Sequence, residues 1–519
     1  MNTWRRLIRW LDSISKVEVA SLSVALTLLV AATIAYPLRA QRTLNDSGTT
    51  GVAAGPDGST DGTAVDGSGG TGAGGGLNPD GTPVAGNGGT GAAGGPGGPG
   101  SGPGGTPTSA VPGTPGGGSA PLRATDQGVD AQQVKVGFVI NNLGGLQASG
   151  YAQGLRSDVK QVIQAYVDKI NNTGGLSGRK VLPVFAEQDP LNANSVQAAC
   201  VQLGEQDKVF GVVDPLSTDP CYAVKYKLPH TTENLTRKQA LLDRAPYEAS
   251  TFIDIDRSDV DWVREAASAG FFKTEYDGRA PVFGLLADMS TDPGPGHVEQ
   301  TLKPELDKAG VKIAAEYRID PNPAKGATQM AQAVLAMKQA GVTRMFLSTG
   351  FLQVANFLNQ AQSQQFFPKY FASDLGAHTQ DFQAQNFNPN QWDGTQGVTA
   401  THSGQTAAGK PISPQTKACS DILVAAGVPG VKDESDLIAI TYCDTFFLLT
   451  TAARAVGPNL TRKAWGQALQ KLGAFPSAYS ELSIFGPNKF DGGDKIARVQ
   501  WHASCRCWQQ ISDFKPGFA

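Results

Sequence analysis

The sequence predicts an α/β protein built from two parallel-sheet lobes, preceded by a membrane helix and a disordered linker. Apolar runs of strand length alternate with helices of apolar periodicity, which predicts parallel strands joined by right-handed crossovers. The alternation occurs twice, in a run that starts at Val134 and in a second run of similar size that starts at Pro281. The composition changes abruptly near residue 130, because the 63 glycines are spread very unevenly along the 519 residues.

The amino terminus combines a basic head, residues 1–16, with a mostly apolar segment, residues 17–36. The basic residues of the head are Arg5, Arg6, Arg9 and Lys16. A helix of about twenty residues spans the roughly 30 Å of a bilayer core. The positive head favours a cytoplasmic amino terminus, which places the rest of the chain outside the membrane. A signal peptide cleaved near Ala35 is the alternative.

Residues 45–128 consist of Gly, Pro, Ser, Thr, Ala and Asp, with almost no large apolar side chain. Such a segment cannot bury enough surface to offset its chain entropy, so the sequence predicts a disordered linker. The folded domain is then expected to occupy residues 131–519.

The first lobe is anchored by a helix, a glycine turn and a strand between Tyr166 and Pro190. One face of the helix is apolar, formed by Leu155, Val159, Val162, Ile163, Tyr166, Val167 and Ile170. Residues 171–175 include two glycines, which suit the end of a helix. A strand over 180–186 then opens into the polar loop 187–190. In open α/β sheets, ligands bind at such carboxyl ends of strands.

The other elements follow the same pattern. In the first lobe we predict strands at 134–140 and 209–213 and a helix at 194–204. In the second lobe we predict strands at 282–286, 311–317, 344–348 and 370–373, and helices at 297–309 and 328–340. Helices at 415–426 and 437–456 and short strands near 481–485 and 497–510 complete the chain.

Several functions have little support in the sequence. The net charge of −3 argues against nucleic acid. The five histidines (His230, His297, His378, His402 and His502) have no metal-binding spacing, and Pro411 stands where the phosphate-loop-like segment 404–410 requires Ser or Thr. Ser403 lacks the first glycine of a nucleophile elbow, although a triad assembled in space stays open. We therefore expect a protein that is not an enzyme and has no metal or cofactor.

Six cysteines without C-x-x-C spacing fit an oxidising compartment. Elements adjacent in a wound sheet bring cysteines within bridging distance. The expected pairs are Cys200–Cys221, Cys419–Cys443 and Cys505–Cys507. Buried free thiols remain the alternative.

The sequence Ile-Asn-Asn-x-Gly-Gly-Leu-x-Gly-Arg at Ile170–Arg179, with its helix and strand, resembles type I periplasmic solute-binding proteins. The branch is that of the leucine/isoleucine/valine-binding protein, the substrate-binding component of branched-chain amino-acid-type ABC importers. The resemblance covers roughly residues 134–514. It implies a periplasmic-binding-protein type I fold whose chain crosses between lobes three times, and relatives often have a disulfide comparable to Cys200–Cys221. We expect crossings near 254–276, 397–403 and 457–476, a first lobe of 134–255 and 400–456, and a second lobe of 278–396 and 476–515.

The first-lobe ligand contacts are expected in two loops after strands. Leu216, Ser217 and Thr218 offer hydroxyls and backbone N–H groups at a helix start, which suits an anion. The resemblance implies that this loop binds the ligand's carboxylate, and helix capping alone is the alternative. Asn141 and Asn142 are expected to line the cleft beside it.

The second-lobe contacts are expected from Ser373 and Asp374, which follow a strand. The resemblance implies that an acidic residue near this point accepts hydrogen bonds from a ligand ammonium group, and a helix cap is the alternative role of Asp374. Ser290 and Thr291 replace a Tyr-Gly pair common in the family. Because of that departure, amino-acid specificity does not follow.

These features together indicate a membrane-tethered, single-pass solute-binding protein with its folded domain outside the cell membrane. Its expected partners are a small polar ligand, such as an amino acid or an amide, and ABC permease subunits. Hinge closure of the lobes would bury the ligand. The alternative is an anchored sensor or scaffold of the same fold without a transport role.

Overall fold

The computed structural model describes residues 121–148, 155–190, 192–216, 219–275, 278–288, 294–320 and 326–518. The predicted basic head, the predicted membrane helix and most of the predicted linker lie outside these residues. The same is true of four predicted site residues, Ser217, Thr218, Ser290 and Thr291.

The first lobe is built on five parallel strands in the order β2-β1-β3-β4-β5. The strands are β1 (Gln133–Asn141), β2 (Lys180–Gln188), β3 (Gly211–Val213), β4 (His230–Thr232) and β5 (Glu248–Ser250). β4 and β5 were not predicted, since strands of three residues are too short to show a period.

The second lobe is built on a larger sheet in the order β14-β13-β10-β9-β8-β6-β7, with β15 beside β13. In chain order, the remaining strands are β6 (Phe283–Asp288), β7 (Ile313–Ile319), β8 (Arg344–Ser348), β9 (Lys369–Ala372), β10 (Gln396–Thr399), β11 (Gly473–Phe475), β12 (Ser483–Phe485), β13 (Lys495–His502), β14 (Cys507–Gln510) and β15 (Lys515–Pro516). β6 to β10 pair in parallel. β13 and β14 are antiparallel, because a short turn joins them into a hairpin, and β11 and β12 form a separate ribbon.

The helices, in chain order, are α1 (Gly144–Ala148), α2 (Val159–Asn172), α3 (Ala193–Val201), α4 (Cys221–Val224), α5 (Lys238–Arg244), α6 (Ile255–Ser268), α7 (Gly294–His297), α8 (Lys303–Lys308), α9 (Gly326–Gln339), α10 (Phe351–Ser363), α11 (Asp381–Ala384), α12 (Pro389–Trp392), α13 (Pro414–Ala425), α14 (Leu437–Val456) and α15 (Arg462–Leu469). A π-helical turn, Gln202–Gln206, extends α3, and another, Val298–Leu302, joins α7 to α8.

The helix α14 is the central helix of the first lobe, and its bounds are those predicted. Tyr442 on this helix donates to the backbone oxygen of Val139 in β1. Within the described part of the chain, the segment Leu437–Asn459 alone has the length and hydropathy of a membrane span. Because 83% of its most apolar window is buried inside the protein, its surroundings are those of a core helix.

The motif at Ile170–Arg179 forms the predicted helix end and turn, and each part of it has a structural role. The Asn171 side chain accepts from Val181 N at 2.7 Å and donates to Val181 O at 3.1 Å, which joins α2 to β2. Gly175 has φ +63°, and a β-carbon there would lie 2.0 Å from the Arg179 oxygen. Arg179 is fully buried and donates to the backbone oxygens of Asp130, Arg123 and Pro458 at 2.6, 2.9 and 2.9 Å.

The lead-in segment, residues 121–130, belongs to the folded domain, so the domain begins before the predicted residue 131. Arg462 pairs with Asp126 at 3.0 Å. Gln127 Nε2 donates to Val209 O at 3.1 Å, and Val129 is buried in the first-lobe core. These contacts hold the segment against the first lobe, and the predicted linker therefore ends earlier than residue 128.

The first and third crossings between the lobes lie at other positions than predicted. The first is at 251–254, because α6 already packs in the second lobe, where Trp262 Nε1 donates to Phe371 O at 2.9 Å. The third is at 490–494, beside the first, where Gly492 N donates to Phe252 O at 3.0 Å. Residues 457–476 instead remain in the first lobe, since Trp465 Nε1 donates to Leu449 O in α14 at 2.9 Å.

The second crossing follows β10, within the predicted range. Thr401 pairs with Ser480, and His402 N donates to Tyr479 O at 3.1 Å. The second lobe thus begins near residue 255 and resumes near 495, and the first lobe extends beyond the predicted residue 456.

The six cysteines form the three expected disulfides. Their Cα–Cα distances are 6.4 Å for Cys200–Cys221, 6.1 Å for Cys419–Cys443 and 5.2 Å for Cys505–Cys507. The first two pairs each join adjacent elements of the first lobe, and the third lies in the turn of the β13–β14 hairpin.

Candidate functional site

The carboxyl ends of β1, β2 and β3 meet at one edge of the first-lobe sheet, where a buried polar network connects them. Gln188 Nε2 donates to Asn141 Oδ1 at 2.9 Å and to Asp214 Oδ2 at 3.2 Å. Burial raises the pKa of Asp214 to about 6, although His230 and the Asn141 side chain lower it. Asn141 was predicted from the sequence, whereas Gln188 and Asp214 were not, although their positions as the last residue of β2 and the first residue after β3 were available signals.

A groove of about 450 Å³ opens beside this network. Its lining mixes polar groups, including Asn141, Asn142 and Arg156, with apolar ones such as Leu155 and Ile438. This composition can bind a small molecule that has both a polar and an apolar part. Both predicted asparagines therefore line one cavity.

Leu216 lies at the same edge, in a small recess that it shares with Asn141, Ile438 and Tyr442. The Asn234 side chain donates to Leu216 O, which fixes the backbone just before the predicted ligand residues Ser217 and Thr218. Since those two residues lie outside the described ranges, their contact with a ligand stays a prediction.

The guanidinium group of Arg156, which lines the groove, is already paired within the protein. Arg156 pairs with Asp158 at 2.7 Å and with Asp436 at 2.9 Å, and the hydrogen bond to Asp158 raises the pKa of Arg156. This cluster joins the start of α2 to the start of α14. Lys160 is more available to a ligand. It pairs with Glu187 at 2.9 Å, but both side chains are exposed, and an exposed ion pair contributes little binding energy.

In the second lobe, the predicted acceptor Asp374 is already hydrogen-bonded within the protein. It accepts from Thr399 Oγ1 and Ala400 N, each at 2.7 Å, and from the hydroxyl of Thr379. Burial raises its pKa to about 6. Asp374 therefore joins the end of β9 to the second crossing, and its side chain does not cap the 3₁₀ helix Leu375–Ala377 that follows it. Ser373 is likewise buried, and its hydroxyl accepts from Leu375 N at 3.4 Å.

The second lobe also contains a Ser–His–Asp sequence of hydrogen bonds. His297 Nδ1 lies 2.7 Å from Asp259 Oδ2, and His297 Nε2 lies 3.3 Å from Ser348 Oγ. If Nδ1 donates to the carboxylate, Nε2 accepts the serine proton. All three side chains are buried. The arrangement thus joins β8 to α6 and α7 inside the lobe and offers no exposed nucleophile.

Two buried acidic residues near the crossings between the lobes, Asp444 and Glu233, were not predicted as a pair. Asp444, on α14, accepts from Ala478 N at 2.6 Å and from Ser477 Oγ at 2.5 Å, and burial raises its pKa to about 7. Burial and the neighbouring Asp444 raise the pKa of Glu233, which follows β4, well above its usual value. A single acid within an apolar helix such as α14 was the available signal. Within the described ranges, no group of three or more His, Cys, Asp or Glu side chains is placed to hold a metal ion.

Two α/β lobes joined by three crossings, with polar groups at the carboxyl ends of their strands, define the type I periplasmic-binding-protein fold. No protein-family model matches the chain. No curated protein matches it either. Many solved structures match the fold of the chain.

Three of these structures show the extent of the likeness. The fatty acid ABC transporter substrate-binding protein from Thermomonospora curvata is 16% identical, with a TM-score of 0.58 over 76% of this chain and 95% of its own. A branched chain amino acid ABC transporter from Thermus thermophilus with bound valine is 12% identical, with a TM-score of 0.56 over 75% and 97%. A solute binding protein from R. palustris in complex with 4-hydroxybenzoate is 16% identical, with a TM-score of 0.56 over 74% and 98%. At these identities the likeness establishes the fold and does not identify the ligand.

Proposed function

We propose that this chain is a membrane-tethered, extracytoplasmic solute-binding protein that captures a small ligand between its lobes and delivers it to an ABC-type permease. The observation that carries the proposal is the groove beside Asn141 and Asn142, which first-lobe residues line at the strand ends where α/β proteins bind ligands. The similar structures are substrate-binding proteins of ABC transporters, which favours binding over catalysis.

The tether and the compartment rest on other features. The apolar segment 17–36 after a basic head supports a membrane anchor. Three disulfides support an oxidising compartment outside the cytoplasm. The predicted linker gives the folded domain freedom to reach a permease in the same membrane.

The lining of the groove favours a ligand with an apolar part beside its polar group. Leu155 and Ile438 supply apolar surface, and Asn142 and Lys160 supply donors for an oxygen-bearing group. A carboxylate fits the predicted role of Ser217 and Thr218. Since Asp374 already accepts three hydrogen bonds within the protein, its presence alone is not an argument for a ligand with an ammonium group.

The proposal is tested with the purified full-length chain in detergent. A thermal-shift screen should include valine, leucine, 4-hydroxybenzoate, 3,4-dihydroxybenzoate and medium-chain fatty acids. A ligand present at about 100 times its Kd stabilises the folded state by about 2.7 kcal/mol. Hits are then measured by calorimetry with Asn142→Ala, and with Asn194→Ala, an exposed residue of α3, as the matched control.

Asn142→Ala should weaken binding, and Asn194→Ala should leave it unchanged. An equal loss of ligand affinity in both variants would show that the groove is not the binding site. If a ligand binds but deletion of the gene leaves its uptake intact, the anchored sensor replaces the importer component as the function.

A further inference from the structure

The turn of the β13–β14 hairpin contains a disulfide of unusual position. Cys505 and Cys507 are bridged across a separation of two residues, and only Arg506 lies between them. Arg506 has φ +53°, in the left-handed region that favours glycine. The closed ring is therefore small and includes a residue in an unfavourable backbone conformation.

The three disulfides differ sharply in exposure. Cys200, Cys221, Cys419 and Cys443 are all buried. Cys505 is exposed and Cys507 is half-buried. Because thiol–disulfide exchange requires a thiolate to reach a sulfur atom, the pair in the hairpin turn is the accessible one.

This disulfide also contributes least to the stability of the fold. Stabilisation by a bridge grows with the length of the loop that it closes, and the separations here are 2, 21 and 24 residues.

The hairpin has other contacts that hold it in place. Trp501 pairs with Trp508 across the strands, Trp508 N donates to Asp381 Oδ1 at 2.7 Å, and Ala503 N donates to Asp393 Oδ1 at 2.8 Å. Arg506 Nη2 donates to Gln385 O at 2.6 Å. The hairpin can therefore keep its strand pairing when the bridge opens.

We propose that Cys505–Cys507 is a thiol–disulfide exchange site, which accepts two electrons from an external thiol or dithiol while the two buried disulfides stay oxidised. This inference is independent of ligand binding, since the hairpin turn contributes no residue to the groove beside Asn141.

The exchange takes two balanced steps. An incoming thiolate attacks Cys505 Sγ, a mixed disulfide forms, and the Cys505–Cys507 bond breaks with Cys507 leaving as a thiolate that takes up a proton. A second thiolate from the reductant attacks the mixed disulfide on the reductant's sulfur. The products are reduced Cys505 and Cys507 and one disulfide of the reductant.

The experiment uses the full-length oxidised chain and follows alkylation of each cysteine by mass spectrometry. One arm titrates with reduced glutathione, and the other uses reduced thioredoxin at the same thiol concentration. We expect Cys505 and Cys507 to be labelled at least about ten times faster than the other four cysteines. Faster alkylation of Cys505 and Cys507 in the glutathione arm identifies a small thiol as the reductant. Faster alkylation in the thioredoxin arm identifies a protein dithiol.

The double variant Cys505→Ser/Cys507→Ser is the matched control. It should keep the parent's melting temperature and lose the fast labelling phase. The proposal is overturned if the parent's hairpin cysteines are labelled no faster than the buried ones. It is also overturned if the fast phase persists in the double variant.

Discussion

Replacing Asp444 with asparagine should make the stability of the folded domain less dependent on pH. The folded-state pKa of Asp444 is about 7 against a reference value of 3.8. A carboxyl with a raised pKa binds its proton more tightly in the folded state than in the unfolded state. Its stabilising contribution is therefore complete below the unfolded pKa and is lost as the pH rises through the folded pKa.

The magnitude follows from these two pKa values. Between pH 5 and pH 7, the unfolded state gains about 2 kcal/mol relative to the folded state through this one group, at 1.36 kcal/mol per pH unit where the difference in bound protons is complete. Asparagine cannot ionise, and its Oδ1 can still accept from Ala478 N. Asp444→Asn should accordingly lose about 2 kcal/mol of this pH dependence and keep the hydrogen bond from Ala478 N.

The assay is urea unfolding at pH 5, 6 and 7, with the free energy of unfolding extrapolated to water. Asp421→Asn is the control, because Asp421 is an exposed residue on α13. A parent and an Asp444→Asn variant with equal pH slopes would refute the reasoning, since the buried carboxyl would then not be the group that titrates.

Three further predictions concern the fold, the site and the tether. Arg179→Met removes the donors of three backbone oxygens and should cost about 3–5 kcal/mol in urea unfolding, whereas Lys180→Ala, on an exposed neighbour, should cost less than about 0.5 kcal/mol. Ser217→Ala and Thr218→Ala should each weaken calorimetric binding of a carboxylate ligand by roughly 10- to 150-fold, with little loss of unfolding free energy, and unchanged binding in both would place the carboxylate elsewhere. Protease added to spheroplasts should release the folded domain by cutting within residues 45–120, and a mature protein that starts after Ala35 would instead establish cleavage of the apolar segment.

Local structure could be predicted from the sequence, because the residues that signal a helix, a turn or a strand lie close together in the chain. The helix, turn and strand around Ile170–Arg179 follow from apolar periodicity and from glycines that tolerate positive φ. The bounds of α14 follow from a long apolar run ended by Gly457, which has φ +79°. The cysteine pairs follow from the adjacency of consecutive elements.

Contacts between distant parts of the chain could not be predicted in this way. Asp374 was predicted to accept from a ligand because it follows a strand, and its hydrogen bonds from Thr399 and Ala400 have no local signal, since they form only once the second crossing is in place. The proximity of Glu233 and Asp444 has no local signal either. The third crossing was predicted too early, because Gly457 ends a helix without ending the lobe.

The lead-in segment attaches the chain at the edge of the first-lobe sheet opposite Asn141 and Gln188, since Asp130 and Gln132 adjoin the starting ends of β1 and β2. The proposed tether would therefore enter the first lobe at the end of its strands that lies away from the candidate ligand groove. The second lobe would then have no direct attachment to the linker, and it could move relative to the first lobe without displacing the linker. The predicted linker, if it is a flexible coil of about 80 residues, would have a root-mean-square reach of about 50 Å. Under the proposed membrane anchoring, the domain could turn its ligand-binding edge towards a permease within that radius, which would raise the local concentration of the binding protein at the membrane.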